Sequence, residues 1–256
     1  MRFWLCLTLA VVLGGSVAAN AQEPPATQRV LVPVLWHGAG YGGSLWMSEL
    51  YMSNSGTQPV IVAPGSPECP FELCDKTLAP GDLARYEGTG SGSIPGAYFV
   101  VEEARAGDIH FLLRAWDVSR QAENFGTTIP VVREDEWLTA TTELLHVPVD
   151  ELFRVTLRVY EYQPSDTLSL KVTILPEDGS DALAQVTLHL RGGDTHSTYP
   201  LVPSFATITN LVEQFPQLAG EEYVRIRLEP STPRQYWAFA SVTNNLTHSV
   251  TVLTPE

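Results

Sequence analysis

Phe153-Arg154-Val155-Thr156-Leu157-Arg158-Val159-Tyr160 decides the fold class, because apolar Phe153, Val155, Leu157 and Val159 alternate with Arg154, Thr156, Arg158 and Tyr160. A period of two sends one set of side chains into a core and the other toward water, the pattern of a half-buried β-strand. The same period recurs at Val30 to Trp36, Val60 to Ala63, Tyr98 to Glu103, His110 to Val118, Leu168 to Leu175, Ala184 to Leu190, Tyr223 to Glu229 and Trp237 to Thr243. Between these runs lie turn clusters such as Asn54-Ser55-Gly56, Pro80-Gly81-Asp82, Glu177-Asp178-Gly179 and Arg191-Gly192-Gly193-Asp194, at the spacing of β-sandwiches. Ile208 to Phe215 alone has helical spacing. Thr209 is placed to cap it and Pro216 to stop it, which predicts a short crossover helix.

The chain also repeats itself. Leu45 to Met52 aligns with Leu152 to Val159, matching apolar positions at Trp46/Phe153, Leu50/Leu157 and Met52/Val159. The turn Leu78-Ala79-Pro80-Gly81-Asp82 then matches Leu190-Arg191-Gly192-Gly193-Asp194; Tyr98 to Val101 matches Tyr223 to Ile226, and Phe111 to Ala115 matches Tyr236 to Ala240. The preserved order of these matches points to duplication. The expected architecture is all-β: two tandem, sequence-related β-sandwich (Ig-like) domains, with the crossover helix in the second. The first domain is expected over 29–132, a linker over 133–144, where charged Val132 to Glu136 lacks alternation, and the second domain over 145–256.

Val32-Pro33-Val34, Gly38 to Gly43, Leu50 to Gly56, Leu78 to Gly81 and Ile129-Pro130 in one copy, with Ile208 to Leu211 and Ala238 to Asn245 in the other, resemble a tandem β-sandwich repeat of secreted bacterial proteins, mostly uncharacterised. The first copy departs from it by carrying Gly88 to Gly96 in place of the short helix. The resemblance implies a sandwich pair on an exported protein. Its motifs are turn and core residues, so it implies no activity.

Residues 1–21 read as a signal peptide: Arg2 is the positive start, Phe3 to Leu13 the apolar run, and Ala19-Asn20-Ala21 a small-x-small cleavage site. The apolar run is shorter than the roughly 20 residues a membrane-crossing helix needs, so no membrane insertion is expected after cleavage. Gln22 to Gln28, with Pro24-Pro25, reads as a flexible lead-in. Export to the periplasm or the extracellular space follows, and there the oxidising environment favours a disulfide between Cys69 and Cys74.

With 15 basic and 29 acidic residues the net charge is −14. Such a surface repels phosphate backbones, which excludes nucleic acid as a partner class and leaves a protein or glycan at the cell envelope or outside the cell. No serine lies in a Gly-x-Ser-x-Gly elbow, the six histidines form no His-Glu-x-x-His, and Gly88 to Ser93 lacks the lysine of a phosphate loop. The chain therefore reads as non-catalytic, without a cofactor. The acidic charge is compatible with calcium or a basic partner, and Asp178 and Asp181 around Gly179 are the candidate calcium ligands, but the loop lacks the ligand ladder and terminal Glu of an EF-hand and reads first as a solvated hairpin turn. Trp36, Tyr41 and Trp46 flank the first Gly-rich loop and are the candidate ligand-binding residues, because flat rings stack on the apolar faces of sugars. Two functions stand against each other: a non-catalytic protein acting by surface contact in adhesion, envelope assembly or scaffolding, and a carbohydrate-binding or carbohydrate-active protein using those aromatic loops.

Overall fold

The structure is a computed structural model, and it describes residues 25–35, 37–40, 43–64, 76–87, 96–120, 125–193 and 202–256. The signal segment, Cys69, Cys74, Trp36 and Tyr41 lie outside the described residues.

The N-terminal half contains β1 (Thr27–Val32), β2 (His37–Ala39), β3 (Leu45–Asn54), β4 (Val60–Pro64), β5 (Lys76–Leu78), β6 (Leu83–Glu87), β7 (Ala97–Glu102), β8 (Ile109–Asp117) and β9 (Thr127–Ile129). The C-terminal half contains β10 (Thr142–Pro148), β11 (Phe153–Glu161), β12 (Ser169–Pro176), β13 (Ala184–His189) and β14 (Phe205–Ile208). These lead to α1 (Leu211–Gln214), β15 (Tyr223–Pro230), β16 (Tyr236–Asn244) and β17 (Val250–Leu253). The chain is thus mostly β, as its alternation predicts. Thr27 and Gln28, expected in the lead-in, already belong to β1, and Thr142 to Leu144, expected in the linker, open β10.

Among the described residues every strand pairing is antiparallel, and the sheets repeat one order. β1-β7-β4-β5 in the N-terminal half corresponds to β10-β15-β12-β13 in the C-terminal half. In the other pair of sheets, β14-β11-β16-β17 corresponds to β6-β3-β8-β9, with β2 added beside the start of β3. The aligned sequence segments fall on equivalent strands, but one match needs correcting. The pairings Met52↔Phe111 and Val159↔Ala238 make Phe111 equivalent to Ala238, not Tyr236. A slip of two residues keeps the same face of a strand, so the apolar pattern alone could not detect it.

Each half has a buried cluster that takes side chains from both of its sheets. In the N-terminal half Val30, Val62, Phe99 and Val101 meet Leu50, Met52 and Leu113. In the C-terminal half Leu144, Val172, Ile174 and Ile226 meet Val155, Leu157, Ala238 and Ala240. The chain passes from one half to the other between Val132, bridged to Leu31, and Leu138, bridged to Tyr236.

The helix is shorter than its spacing predicts. Ile208 is still a strand residue paired with Leu157, and Asn210 adopts a left-handed backbone (φ 53°) before a single turn, Leu211–Gln214. Thr209 therefore does not cap it. Among the described residues no helix is long and apolar enough to cross a membrane.

Candidate functional site

The site begins with the outward face of β11 and β16. Val155, Leu157 and Val159, with Ala238, Ala240 and Val242, are buried in the C-terminal core. The opposite face carries Arg154, Thr156, Arg158 and Tyr160 beside their cross-strand partners Thr243, Ser241, Phe239 and Trp237. From the sequence alone this second face points to water. Instead it meets the N-terminal half, because its aromatic end is as apolar as a core: Tyr160 is fully buried, and with Trp237 and Phe239 it belongs to the N-terminal cluster.

That aromatic end forms a closed seam. The Tyr160 and Phe239 rings stack at 6.4 Å between centroids, and Trp237 lies 5.3 Å from Phe239. Tyr160 donates its hydroxyl to the Pro33 carbonyl, and Tyr98 donates to the carbonyls of Glu161 (2.5 Å) and Tyr162 (2.9 Å). Burial pushes the Tyr160 phenol up to about 12, so it remains a donor at ordinary pH. Arg29 sits 4.2 Å from the centroid of the Tyr162 ring, a cation–π contact across the same seam.

Further along the two strands the aromatic pairs give way to hydroxyls and guanidinium groups, and the seam opens into a groove of about 470 Å³. Arg154, Thr156, Arg158, Ser241 and Thr243 line its C-terminal wall. Val34, Ala39, Gly40, Trp46, Met47 and Ala115 are among the residues of its N-terminal wall. Trp46 is fixed there by an indole N–H donated to Ser44 Oγ at 2.9 Å. Its ring lies against Gly40, where an added Cβ would fall 2.5 Å from Trp46 Cδ1, so no larger residue fits. The only carboxylate among the described lining residues is Glu213, which accepts from Asn210 Nδ2 at 2.8 Å.

A polar latch also joins the halves. Asp117, at the end of β8, lies 3.2 Å from Nδ1 of His248 in the turn between β16 and β17, and both side chains are buried. Asp117 Oδ1 accepts from Leu45 N (3.0 Å), Ser119 N (3.0 Å) and Ser119 Oγ (2.6 Å). Burial alone would push this carboxyl up; the hydrogen bonds from Ser119 and Leu45 and the nearby His248 outweigh it and hold the group below its ordinary value.

Of the sequence-derived candidates, Trp46 lines the groove, while Trp36 and Tyr41 lie outside the described residues. Asp178 and Asp181 are in an exposed turn, where Asp178 Oδ1 accepts from Ser180 N at 2.9 Å. That bond and the Ser180 side chain hold the Asp178 carboxyl below its ordinary value. Among the described residues no group of three His, Cys, Asp or Glu side chains is placed to hold a metal.

Two serine–histidine contacts escape sequence reasoning because cross-strand proximity has no linear spacing. Ser55 Oγ is 2.8 Å from His110 Nε2, and Ser169 Oγ is 2.8 Å from His189 Nδ1. Both are exposed, and among the described residues neither ring has a carboxylate on its other nitrogen, the group that orients the base in a triad. No family model, curated protein or solved structure matches the chain.

Proposed function

We propose that this chain is an exported, non-catalytic contact protein. In this reading it is a pair of tandem Ig-like sandwich domains, of the repeat type its sequence resembles, acting in adhesion, envelope assembly or scaffolding in the periplasm or outside the cell. The observation that carries it is the aromatic seam. A contact built from buried rings and hydrogen-bonded tyrosines fixes the halves relative to each other, and groups on both then present one surface of constant geometry. The test is to export the chain, confirm by mass that it begins at Gln22, and measure its retention on isolated envelope fractions. Saturable retention by one component that is chemically unchanged afterwards supports the reading, and turnover of that component overturns it.

The second reading, carbohydrate binding, has one specific observation in its favour: Trp46 stands in a groove, fixed by Ser44 and backed by Gly40. An immobilised flat ring loses little freedom when a sugar stacks on it. A glycan array tests this. Selective binding that disappears in Trp46→Ala supports it, and binding that survives the substitution removes the groove from consideration.

A further inference from the structure

We infer that the groove takes an anionic saccharide: a short chain of sugars bearing carboxylate or sulfate groups, with the acidic groups met by Arg154 and Arg158 and a pyranose face lying on Trp46. This rests on the carbohydrate-binding reading and adds the charge of the ligand to it.

The volume is suitable, since 470 Å³ lies within the range of about 300–1,000 Å³ typical of small-ligand sites. The charge is the more specific argument. The chain has only 15 lysines and arginines against 29 acids, yet the described lining of this groove holds two arginines and a single carboxylate, Glu213. The acidic exterior repels anions in general. Screening confines that repulsion to about 8 Å at physiological salt, whereas guanidinium groups inside the groove act at contact distance.

The spacing adds a second constraint. Four residues apart on one face of β11, the two arginines are separated by about 14 Å at Cα, with Thr156 between them. Two acidic groups along a chain match this spacing better than a single carboxylate does. Thr156, Ser241 and Thr243 offer hydroxyls suited to ring oxygens and sugar hydroxyls along the way.

The arginines are also held in place. Arg158 is hydrogen-bonded to the buried Tyr160, and Arg154 has a partner within the protein. A guanidinium has five N–H donors, so donors remain for a ligand, and a side chain already ordered loses less entropy on binding.

The experiment is calorimetric titration of the full mature chain with three probes: a galacturonate oligomer, a sulfated galactose oligomer and a neutral galactose oligomer of the same length. The inference expects one or both acidic probes to bind with at least about tenfold higher affinity than the neutral one. It also expects that preference to fall about tenfold in Arg154→Gln and in Arg158→Gln, and to weaken with added salt. Thr156→Glu, which keeps both arginines but sets a carboxylate between them, should abolish the preference at an unchanged thermal midpoint, and so separates loss of binding from loss of fold. The two acidic probes distinguish a carboxylate from a sulfate ligand. Equal binding of all three probes overturns the inference and leaves the carbohydrate reading standing. Binding of none overturns both, and an acidic preference untouched by all three substitutions places the anion site elsewhere and overturns the inference.

Discussion

The two halves share a strand order but not a degree of self-sufficiency. Every fully buried member of the C-terminal cluster lies at or beyond Leu144, so that half completes its core from its own residues. The N-terminal cluster includes Tyr160, Tyr162, Trp237 and Phe239 from the other half, with Phe205 and Val252 packed against it. The difference lies in β11 and β16. Their small aliphatic side chains serve their own half, and the aromatic ones on the opposite face serve its neighbour. One sheet thus closes two cores, and the dependence runs in one direction.

The largest expected effect follows from that asymmetry. A fragment from Leu138 to Glu256 should unfold cooperatively and give dispersed amide resonances. A fragment ending at Trp137 should lose its whole fold, since the removal of four large side chains, Tyr160, Tyr162, Trp237 and Phe239, exposes apolar surface worth about 2 kcal/mol apiece, a sum comparable with the stability of a domain. A cooperatively folded N-terminal fragment would break the comparison. Phe239→Ala sharpens it within the intact chain. It should cost about 3–5 kcal/mol, read in urea, and amide exchange should accelerate more in β3 and β8 than in β12 and β15.

Much of this asymmetry was hidden in the sequence, and the reason is physical. β3 is legible only through its alignment with β11, and the long strands β8, β11, β15 and β16 are legible because nine or so residues display a period of two. β2, β5 and β9, three residues each, do not contain enough of one. Periodicity separates the two faces of a strand but does not say what covers each. Arg154, Thr156, Arg158 and Tyr160 therefore read as a single water-facing row, whereas the structure buries Tyr160 and places the other three in a groove. Trp46 was legible as an aromatic beside a Gly-rich loop. The arginines opposite it come from the other half, more than 100 positions away, and no local pattern joins them.

The latch between the halves should have an intermediate effect. Asp117→Asn removes the charge that accepts three hydrogen bonds and faces His248, at a cost of about 2–3 kcal/mol near neutral pH. The Asp117 carboxyl is held below its ordinary value in the fold, so its contribution is present above the unfolded value and is lost as pH falls through the folded one. Urea midpoints of the parent and the variant should therefore differ at pH 7 and converge in acid. A constant difference from neutral pH to strong acid would mean that the latch acts by packing and not by charge.

The smallest effect belongs to an ion-pair network inside the self-sufficient half. Glu143 of β10 accepts from Arg225 and Arg227 of β15, in one case at 2.7 Å, with the three side chains between 19 and 39 % exposed. Burial alone would push the Glu143 carboxyl up, and the two arginines outweigh it and hold the group below its ordinary value, so its contribution also fades in acid. Water and salt screen a network this open, and Glu143→Gln should cost about 1 kcal/mol or less, with the cost shrinking in high salt. Because Glu143, Arg225 and Arg227 alternate with the core residues Leu144, Val224 and Ile226 and so lie on the outward face of β10 and β15, this loss should stay in the C-terminal half and leave amide exchange in β3 and β8 unchanged. Phe239→Ala and Glu143→Gln thus alter the same half of the chain with opposite consequences for its neighbour. If Glu143→Gln loosened β3 and β8 as well, the whole molecule would be a single cooperative unit, and the one-way dependence argued from the two cores would not hold.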